Sequence, residues 1–203
     1  MTRPTRVLLV AYGGGHIPMV LPVMRALREQ QPGIELILIA LTTAYAAAQA
    51  AGEKPLGYAA LKHLADETFA DEWGARLAPR ERHPAVSVEE TVAYVGVNFW
   101  DMVQQHGMAK AQALHAEKER FAYYPLHFMR RVLAHLKPDA VVATVSPRSE
   151  EAALQAAIEL GVPTLSMIDW YLQPSDSYCH RKYYADRITV INDQVRQILV
   201  DAG

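Results

Sequence analysis

The fold is decided by Val7-Leu-Leu-Val-Ala-Tyr12-Gly-Gly-Gly-His16-Ile-Pro18, near the N-terminus. The apolar run over residues 7–10 suits a strand that is buried on both faces of a parallel sheet. Three glycines then allow a sharp turn, because glycine adopts positive φ at low cost. Residues 19–30 have helical spacing, with their apolar side chains on one stripe. We therefore predict a strand, a glycine turn and a helix, the opening unit of a parallel α/β sheet.

The glycine turn has two interpretations. Amide N–H groups at a helix start attract anions, so a phosphate could bind closely at Gly13, Gly14 and Gly15. Alternatively, the turn needs glycine for geometry alone, since its spacing is neither the G-x-G-x-x-G fingerprint nor a Walker motif. His16 could carry a proton at the mouth of the turn, or it could cap or pack.

The composition is that of an ordinary globular protein, with 203 residues of which 51% are hydrophobic and 21% charged. The formal net charge of −2 gives no indication of binding to nucleic acid or to an anionic membrane. Cys179 is the only cysteine, which excludes an intrachain disulfide and makes a reducing cytoplasm the simplest compartment. We expect no signal peptide and no membrane span, which would need ~20 apolar residues.

Strand and helix signals alternate at both ends of the chain. A second strand is predicted over 34–39, and Thr42 and Thr43 are predicted to cap an alanine-rich helix over 44–51. Further strands are predicted over 140–145, 162–168 and 186–191. This alternation predicts one α/β domain over residues 1–203 with a parallel sheet. Pro22 requires that the first helix either begins later than His16 or kinks.

The turn after the strand over 140–145 carries clear helix-start signals. Ser146 is a natural N-cap, Pro147 suits the first helical position, and Glu150 and Glu151 suit the positive helix end. We also predict a short helix over 178–185, and a final helix capped by Asn192.

The strand signal disappears over residues 54–136, which predicts a helical insertion beside the sheet. Ser87-Val-Glu-Glu90 is a capping box, so a helix should begin there and run towards His106. Its buried side is predicted to consist of Val88, Val92, Val95, Phe99 and Val103. A helix over 126–136 should follow Pro125. The aromatic residues of this region could line a pocket, but a core role is the favoured interpretation; they are Trp100, Phe121, Tyr123, Tyr124 and Phe128.

Ligands of an open parallel sheet bind at the carboxyl ends of its strands. Three loops should gather there: residues 13–16, residues 144–149, and residues 169–171 with the following segment 175–181. Their polar, partly cationic side chains suit a phosphate-bearing or polyhydroxyl ligand. Besides His16 and the three glycines, the candidate residues are Ser146, Arg148, Asp169, Trp170, Tyr171, His180 and Arg181.

Each of these candidates also has a simpler role. Asp169 could be a general base, although capping its loop or pairing with Arg181 is the favoured interpretation. Arg148 could bind phosphate or lie solvated in a first helical turn. Trp170 and Tyr171 could stack on a sugar face or form a domain or subunit contact.

Several classes of site are disfavoured. Neither H-E-x-x-H nor paired cysteines occur, so we expect no metal site. The G-x-S-x-G elbow of hydrolases is absent, and the adjacency of Cys179 and His180 does not place their side chains together. We also expect no cofactor and no nucleic-acid partner.

A family resemblance emerges from the order of several motifs. Gly-Gly-Gly-His16-Ile-Pro18 after an N-terminal strand resembles the glycine loop of GT-B nucleotide-sugar glycosyltransferases. The segments Leu136-Lys-Pro-Asp-Ala-Val-Val-Ala143 and Ala156-Ala-Ile-Glu-Leu-Gly-Val-Pro163 resemble the L-x-P-D-x-V … A-x-x-x-G-x-P passage of that superfamily, and Ala185-Asp-Arg-Ile-Thr-Val190 resembles its A-D-x-v strand. Pro22-Val-Met-Arg-Ala-Leu27 is similar instead to the first helix of non-hydrolysing UDP-N-acetylglucosamine 2-epimerases, which share the GT-B architecture.

The resemblance implies a doubly wound, Rossmann-like N-terminal domain of the GT-B type. In that superfamily this domain chiefly holds the acceptor, and a C-terminal domain, absent from this chain, holds the nucleotide sugar. The chain would be the acceptor-side half of a glycosyltransferase of cell-surface polysaccharide synthesis, inactive alone. Its implied partners are a nucleotide sugar, a sugar or lipid-linked acceptor, and a donor domain in cis or in trans; a homo-oligomer stays open. His16 matches the glycine-loop histidine that faces the cleft.

Two alternatives stay open beside the transferase. An epimerase needs acid and base groups, but the acidic residue expected after the third strand is Ser146. The glutamate expected after the next strand falls at Ile168, one position before Asp169. These departures count against the epimerase and less against a transferase, which relies on positioning and electrostatic help to a leaving group. From another class, the chain could be a stand-alone binding domain without chemistry.

Overall fold

The computed structural model describes residues 3–79, 81, 83–145 and 148–203. In this part of the chain, five parallel strands form one sheet with the order β2-β1-β3-β4-β5. The strands are β1 (Arg6–Tyr12), β2 (Glu35–Leu41), β3 (Ala140–Thr144), β4 (Thr164–Met167) and β5 (Arg187–Thr189). The helices are α1 (Ile17–Gln30), α2 (Thr43–Ala50), α3 (Tyr58–Leu61), α4 (Glu67–Leu77), α5 (Val88–His106), α6 (Met108–Lys118), α7 (Leu126–Leu136), α8 (Ser149–Glu159) and α9 (Asp193–Ala202).

Helices cover both faces of the sheet, because successive side chains of each strand point to opposite faces. Leu8 and Val10 of β1 pack in a core shared with α5, α7 and α8. Val7 and Leu9 pack on the other face, in a core shared with α1 and α2. The predicted α/β class, the parallel sheet and the doubly wound arrangement are confirmed, with the helical insertion α3–α7 between β2 and β3.

Two aspartates of the quoted motifs join neighbouring strands at the amino-terminal edge of the sheet. Asp139, just before β3, accepts a hydrogen bond of 2.8 Å from the amide of Arg6 in β1. Asp186, just before β5, accepts bonds of 2.8 Å from both the amide and the hydroxyl of Thr164 in β4. Both residues therefore hold the sheet together at the edge opposite the carboxyl ends of the strands.

Helix α5 carries two buried carboxylates that hold the ends of other helices. Glu90 accepts hydrogen bonds from the amides of Tyr58 (2.6 Å) and Ala59 (3.0 Å) at the start of α3. Asp101 accepts one from the amide of Phe128 (2.5 Å) at the start of α7. Burial raises the pKa of both carboxyl groups, and their bonds to N–H groups oppose that rise.

The capping prediction at Ser87 is only partly right. Ser87 accepts a hydrogen bond of 3.1 Å from the amide of Glu90, as an N-cap should. Glu90 is turned towards α3, so it binds a distant helix start. Val88 is exposed, so its predicted burial is wrong: it lies in the first turn of α5, before the helix enters the core.

Several predicted boundaries are also wrong. Helix α1 begins at Ile17, after His16 as one alternative required and two residues before the predicted Met19. Pro18 lies in its first turn, where a missing N–H costs little, and Pro22 lies inside the helix. The helix predicted over 178–185 is only a 3-10 turn, Ser177–His180, and β5 is shorter than 186–191. Helix α4, which was not predicted, has Asp66 as its N-cap, accepting from the amide of Phe69 at 3.0 Å.

The helix starts after β2 and β3 also differ from the prediction. Thr42 precedes α2, but its hydroxyl donates to the carbonyl of Leu41 and does not cap the helix. Helix α8 begins at Ser149, with Arg148 at the N-cap position. The predicted N-cap Ser146 and its neighbour Pro147 lie outside the described residues.

Candidate functional site

The candidate site lies where the sheet reverses its winding. From β1 the chain passes through α1 to β2 on one side, and from β3 it passes through α8 to β4 on the other. β1 and β3 are neighbours, paired from Val7 with Ala140 to Val10 with Ala143. The loops after these two strands therefore diverge and leave a crevice at their carboxyl ends, where ligands of such sheets bind.

The glycine turn uses its amides within the protein. Gly13 has φ +84°, a conformation that favours glycine, and its amide donates to the carbonyl of Leu41 at 3.1 Å. The amide of Gly14 donates to the hydroxyl of Thr43 at 2.8 Å, and that of His16 to the carbonyl of Gly13 at 3.2 Å. These contacts favour the geometric interpretation of the glycines over a phosphate cradle, because three of the turn's N–H groups are already satisfied.

The glycine turn places His16 at the crevice. Gly14–His16 forms one 3-10 turn that continues into α1, so the imidazole follows β1 directly. Its Nδ1 lies 2.9 Å from the hydroxyl of Thr144, the last residue of β3. Thr144 donates to Glu150 Oε1 at 3.0 Å, and the carboxyl group of Glu150 is completely buried.

This chain of contacts defines which nitrogen of His16 carries a proton. An ionised Glu150 can only accept, so the single hydroxyl proton of Thr144 then goes to Glu150, and Thr144 accepts from His16 Nδ1–H. In the neutral imidazole, Nε2 is then the unprotonated nitrogen. The buried Glu150 also lies 3.9 Å from Nδ1.

Asp169 lies on the other side of the imidazole. It follows β4, and its Oδ2 is 3.6 Å from His16 Nε2, with 19% of the His16 side chain and 31% of the Asp169 side chain exposed. This distance is longer than a hydrogen bond, so Nε2 stays accessible to a ligand hydroxyl. Asp169 thus lies beside His16, whereas Arg181, its predicted partner, lies beside Glu151.

A cleft of about 630 Å³ lies beside this crevice, between the loops after β1 and β2 and the helical insertion. Such a volume is typical of small-molecule sites. Tyr12, Tyr94 and Phe121 are among its aromatic wall residues. Phe121 is exposed and Tyr123 also faces the cleft, whereas Trp100 and Phe128 are buried in the core. The core interpretation thus holds for part of the predicted aromatic group.

Arg148 lies in the wall of the same cleft. Its guanidinium carbon is 4.8 Å from the ring centre of Tyr12 and 5.8 Å from that of Phe121. The side chain is therefore packed between two aromatic rings, where the alternative interpretation expected a solvated residue. Such cation–π contacts orient the guanidinium without using its N–H donors.

The remaining predicted residues take different positions. Trp170 and Tyr171 are exposed next to Asp169, and His180 is exposed at the end of its 3-10 turn. Arg181 is nearly buried, 3.3 Å from Glu151 Oε2 and 4.2 Å above the ring of Tyr178. Its guanidinium therefore stabilises the protein. Ser146 lies outside the described residues.

Three residues were missed as candidates by sequence reasoning. Thr144 was placed in a loop at the strand ends but was not named as a candidate, and Glu150 was treated only as a favourable charge at a helix start. Both flank the turn after β3, and a polar residue at the carboxyl end of an otherwise apolar strand was the available signal. Tyr94 was missed because its position on a mostly buried helix gives no indication of a cavity.

Within the described residues, no three His, Cys, Asp or Glu side chains are grouped so that they could hold a metal ion. In the same part of the chain, no helix combines the length and the apolar character needed to cross a membrane.

No protein-family model and no curated protein matches the chain by sequence. Among solved structures, the chain is similar to S. aureus MnaA in complex with UDP, with a TM-score of 0.53 and 13% identity, over 98% of this chain and 42% of that one. It also matches SsfS6, a glycosyltransferase of Streptomyces sp. SF2575, with a TM-score of 0.37 and 15% identity, over 98% of this chain and 44% of that one. The chain thus spans less than half of each solved protein. On the sheet topology and the first of these likenesses, it has the Rossmann-like fold of a GT-B domain.

Proposed function

We propose that this chain is the acceptor-binding half of a GT-B glycosyltransferase that uses a nucleotide sugar and works with a separate donor-binding domain. The observation that carries the proposal is the series Glu150–Thr144–His16 at the point where the sheet reverses. A buried carboxylate, a hydroxyl and an imidazole form the ordered arrangement that a general base requires.

In the proposed reaction, an acceptor hydroxyl lies against His16 Nε2. Its oxygen attacks the anomeric carbon of the donor sugar, the bond from that carbon to the nucleoside diphosphate breaks, and the hydroxyl proton passes to Nε2. The imidazolium that forms is stabilised through Thr144 by Glu150 and directly by Asp169, 3.6 Å away. General-base assistance of this kind contributes about 10²–10⁴-fold in rate.

The charge on the diphosphate leaving group needs partners that the glycine turn does not offer. The amides of Gly13, Gly14 and His16 are already bonded within the protein. We therefore assign the diphosphate to the second domain, in keeping with the 42% of the MnaA chain that this chain covers.

The assignment of the nucleotide sugar to the other domain is tested by isothermal titration calorimetry. UDP and UDP-N-acetylglucosamine are titrated into this chain alone. We expect no binding with a micromolar dissociation constant, because the proposed donor site lies in the other domain. Micromolar affinity would overturn the proposal. In the full assembly, UDP release should require an acceptor, and His16→Ala should lower its rate about 10²–10⁴-fold.

An epimerase-type reaction on a nucleotide sugar is a second candidate. Two observations favour it: the fold likeness is to a UDP-bound protein, and His16 and Asp169 place two proton-carrying groups side by side. Incubation of the full assembly with a UDP-sugar in deuterated water separates the candidates. Deuterium incorporation at sugar C2 without an acceptor indicates the epimerase, and acceptor-dependent UDP release indicates the transferase.

A further inference from the structure

The cleft beside the glycine turn contains two donors that the protein itself does not use. Among the described residues, neither Arg148 Nε nor the Tyr94 hydroxyl has a hydrogen-bond partner with normal geometry, and both atoms are buried. The Tyr94 hydroxyl has one polar neighbour, the side chain of Tyr12. Both residues line the cleft. Buried donors without acceptors are costly, so a ligand that supplies an acceptor here would gain the missing bonds.

The charge of Arg148 is balanced differently from that of several ion-paired arginines. Arg3, Arg28 and Arg181 each lie within 3.3 Å of a carboxylate oxygen. For Arg148, the contacts in the described part of the chain are with the rings of Tyr12 and Phe121. A half-buried guanidinium held by aromatic faces presents its N–H groups to the cleft, which suits an anionic group.

Tyr94 provides the second donor and an apolar surface. Only 8% of the residue is exposed. Burial raises its pKa well above the ordinary value, and the charge of Arg148 only partly opposes this rise. The phenol therefore keeps its proton at neutral pH and can donate it. Its ring packs edge-on against Tyr58 and Tyr123, so the hydroxyl is held in place.

The charge of the surrounding wall limits the kind of anion. Apart from tyrosines, the ionisable side chains of the described lining are three carboxylates, two arginines and two histidines: Glu81, Glu90, Glu119, Arg120, Arg148, His83 and His115. A phosphate with two negative charges would meet repulsion from these carboxylates, whereas a single charge is balanced by Arg148 alone. The aromatic wall favours an apolar or planar ligand body.

We propose that this cleft binds an acceptor with an apolar or aromatic body and one carboxylate, which pairs with Arg148 and accepts a hydrogen bond from Tyr94. Calling the ligand an acceptor rests on the proposed function. The binding site itself does not depend on the reaction. Gly13 lines the cleft and begins the turn that ends at His16, so the cleft adjoins the turn that carries the proposed base.

The test is a titration of the full chain with 4-hydroxybenzoate, in which NMR amide chemical shifts report binding. The comparison ligands are phenol, which lacks the carboxylate, and phenyl phosphate. We expect 4-hydroxybenzoate to bind more tightly than both, with shifts at Tyr12, Tyr94 and Phe121. Equal binding of phenol, tighter binding of phenyl phosphate, or no binding at millimolar concentration would each overturn the proposal.

Matched variants identify the groups responsible. Arg148→Met removes the charge and keeps the length of the side chain, and should weaken 4-hydroxybenzoate binding about tenfold or more. Arg25→Met removes an exposed arginine of α1 that is not part of the cleft wall and should change binding less than about twofold. Tyr94→Phe, which preserves packing, should weaken binding by several-fold. Equal effects of the two arginine variants, or no effect of either Arg148→Met or Tyr94→Phe, would overturn the site.

The test of the carboxylate site can be separated from the test of the transferase proposal. Carboxylate binding that depends on Arg148, without acceptor-dependent UDP release in the full assembly, would retain the site and reject the transferase. UDP release without carboxylate binding would reject the site and retain the transferase.

Discussion

His16 Nδ1 and Thr144 Oγ1 lie 2.9 Å apart, although one residue follows the first strand and the other ends the third. Their contact exists because β1 and β3 are adjacent and parallel, so their carboxyl ends meet at one edge of the sheet. It also defines the proton position on His16, since Thr144 gives its own proton to Glu150.

The tautomer of His16 is the first testable consequence of this contact. We expect neutral His16 to carry its proton on Nδ1, because Thr144 accepts a hydrogen bond there. In Thr144→Val this acceptor is lost, so the population of the Nε2–H form should rise. Ring ¹⁵N chemical shifts from long-range ¹H–¹⁵N spectra measure both populations. A wild-type spectrum with the proton on Nε2 would contradict the proposed relay; His180, which is exposed, serves as the internal reference.

Glu90 should contribute to stability through the start of α3. Glu90→Gln keeps the size of the side chain but can accept only one of the two amide bonds well. We expect the free energy of unfolding to fall by about 1–3 kcal/mol, measured by urea denaturation. The matched control Glu89→Gln changes an exposed neighbour and should stay within about 0.5 kcal/mol of wild type. Equal effects of the two variants would show that Glu90 does not cap α3.

Helices α4 and α5 cross closely where Gly96 of α5 faces Ala70 of α4. A Cβ atom at Gly96 would lie 1.8 Å from the carbonyl oxygen of Ala70, so the helices must separate to accommodate alanine. We expect Gly96→Ala to lower the melting temperature and to reduce the unfolding free energy by about 2 kcal/mol or more, despite the better helix propensity of alanine. Gly15→Ala adds the same methyl group in open space and should have little effect on stability. A stabilised Gly96→Ala protein would refute the close crossing.

Asp186 should make the free energy of unfolding depend on pH in the acidic range. Hydrogen bonds from Thr164 hold the pKa of Asp186 below its ordinary value, so the unfolded state binds a proton more readily than the folded state. The stabilisation is therefore fully present above the unfolded pKa of about 3.9 and is lost as the pH falls through the folded pKa.

The measurement is urea unfolding between pH 2.5 and pH 6 for wild type and Asp186→Asn. The stability difference between the two should be largest above pH 4 and should shrink as the pH falls. Asp193→Asn, which changes an almost fully exposed side chain, is the matched control. A constant difference for Asp186→Asn across the range would contradict the assigned hydrogen bonds.

The candidate site was predictable in its location and only partly in its members. His16, Arg148 and Asp169 follow strands whose carboxyl ends gather at one edge, so their loops could be grouped from the strand order along the chain. Glu150 looked like a residue that complements a helix dipole, and its burial depends on how α8 packs against β3. Arg181 looked like a ligand-binding cation, yet its charge is taken up by Glu151, a pairing that no local pattern reveals.

The sequence alone determined the alternation of buried strands and helices, because apolar periodicity, glycine turns and caps act within a few residues of each other. It also determined the helical character of the middle segment. Only the tertiary structure decided which turn amides are satisfied, which nitrogen of His16 is free, and that Tyr94, Phe121 and Arg148 share one cleft. Those properties arise from contacts between segments far apart in the chain, and such contacts exist only once the sheet and the insertion have packed together.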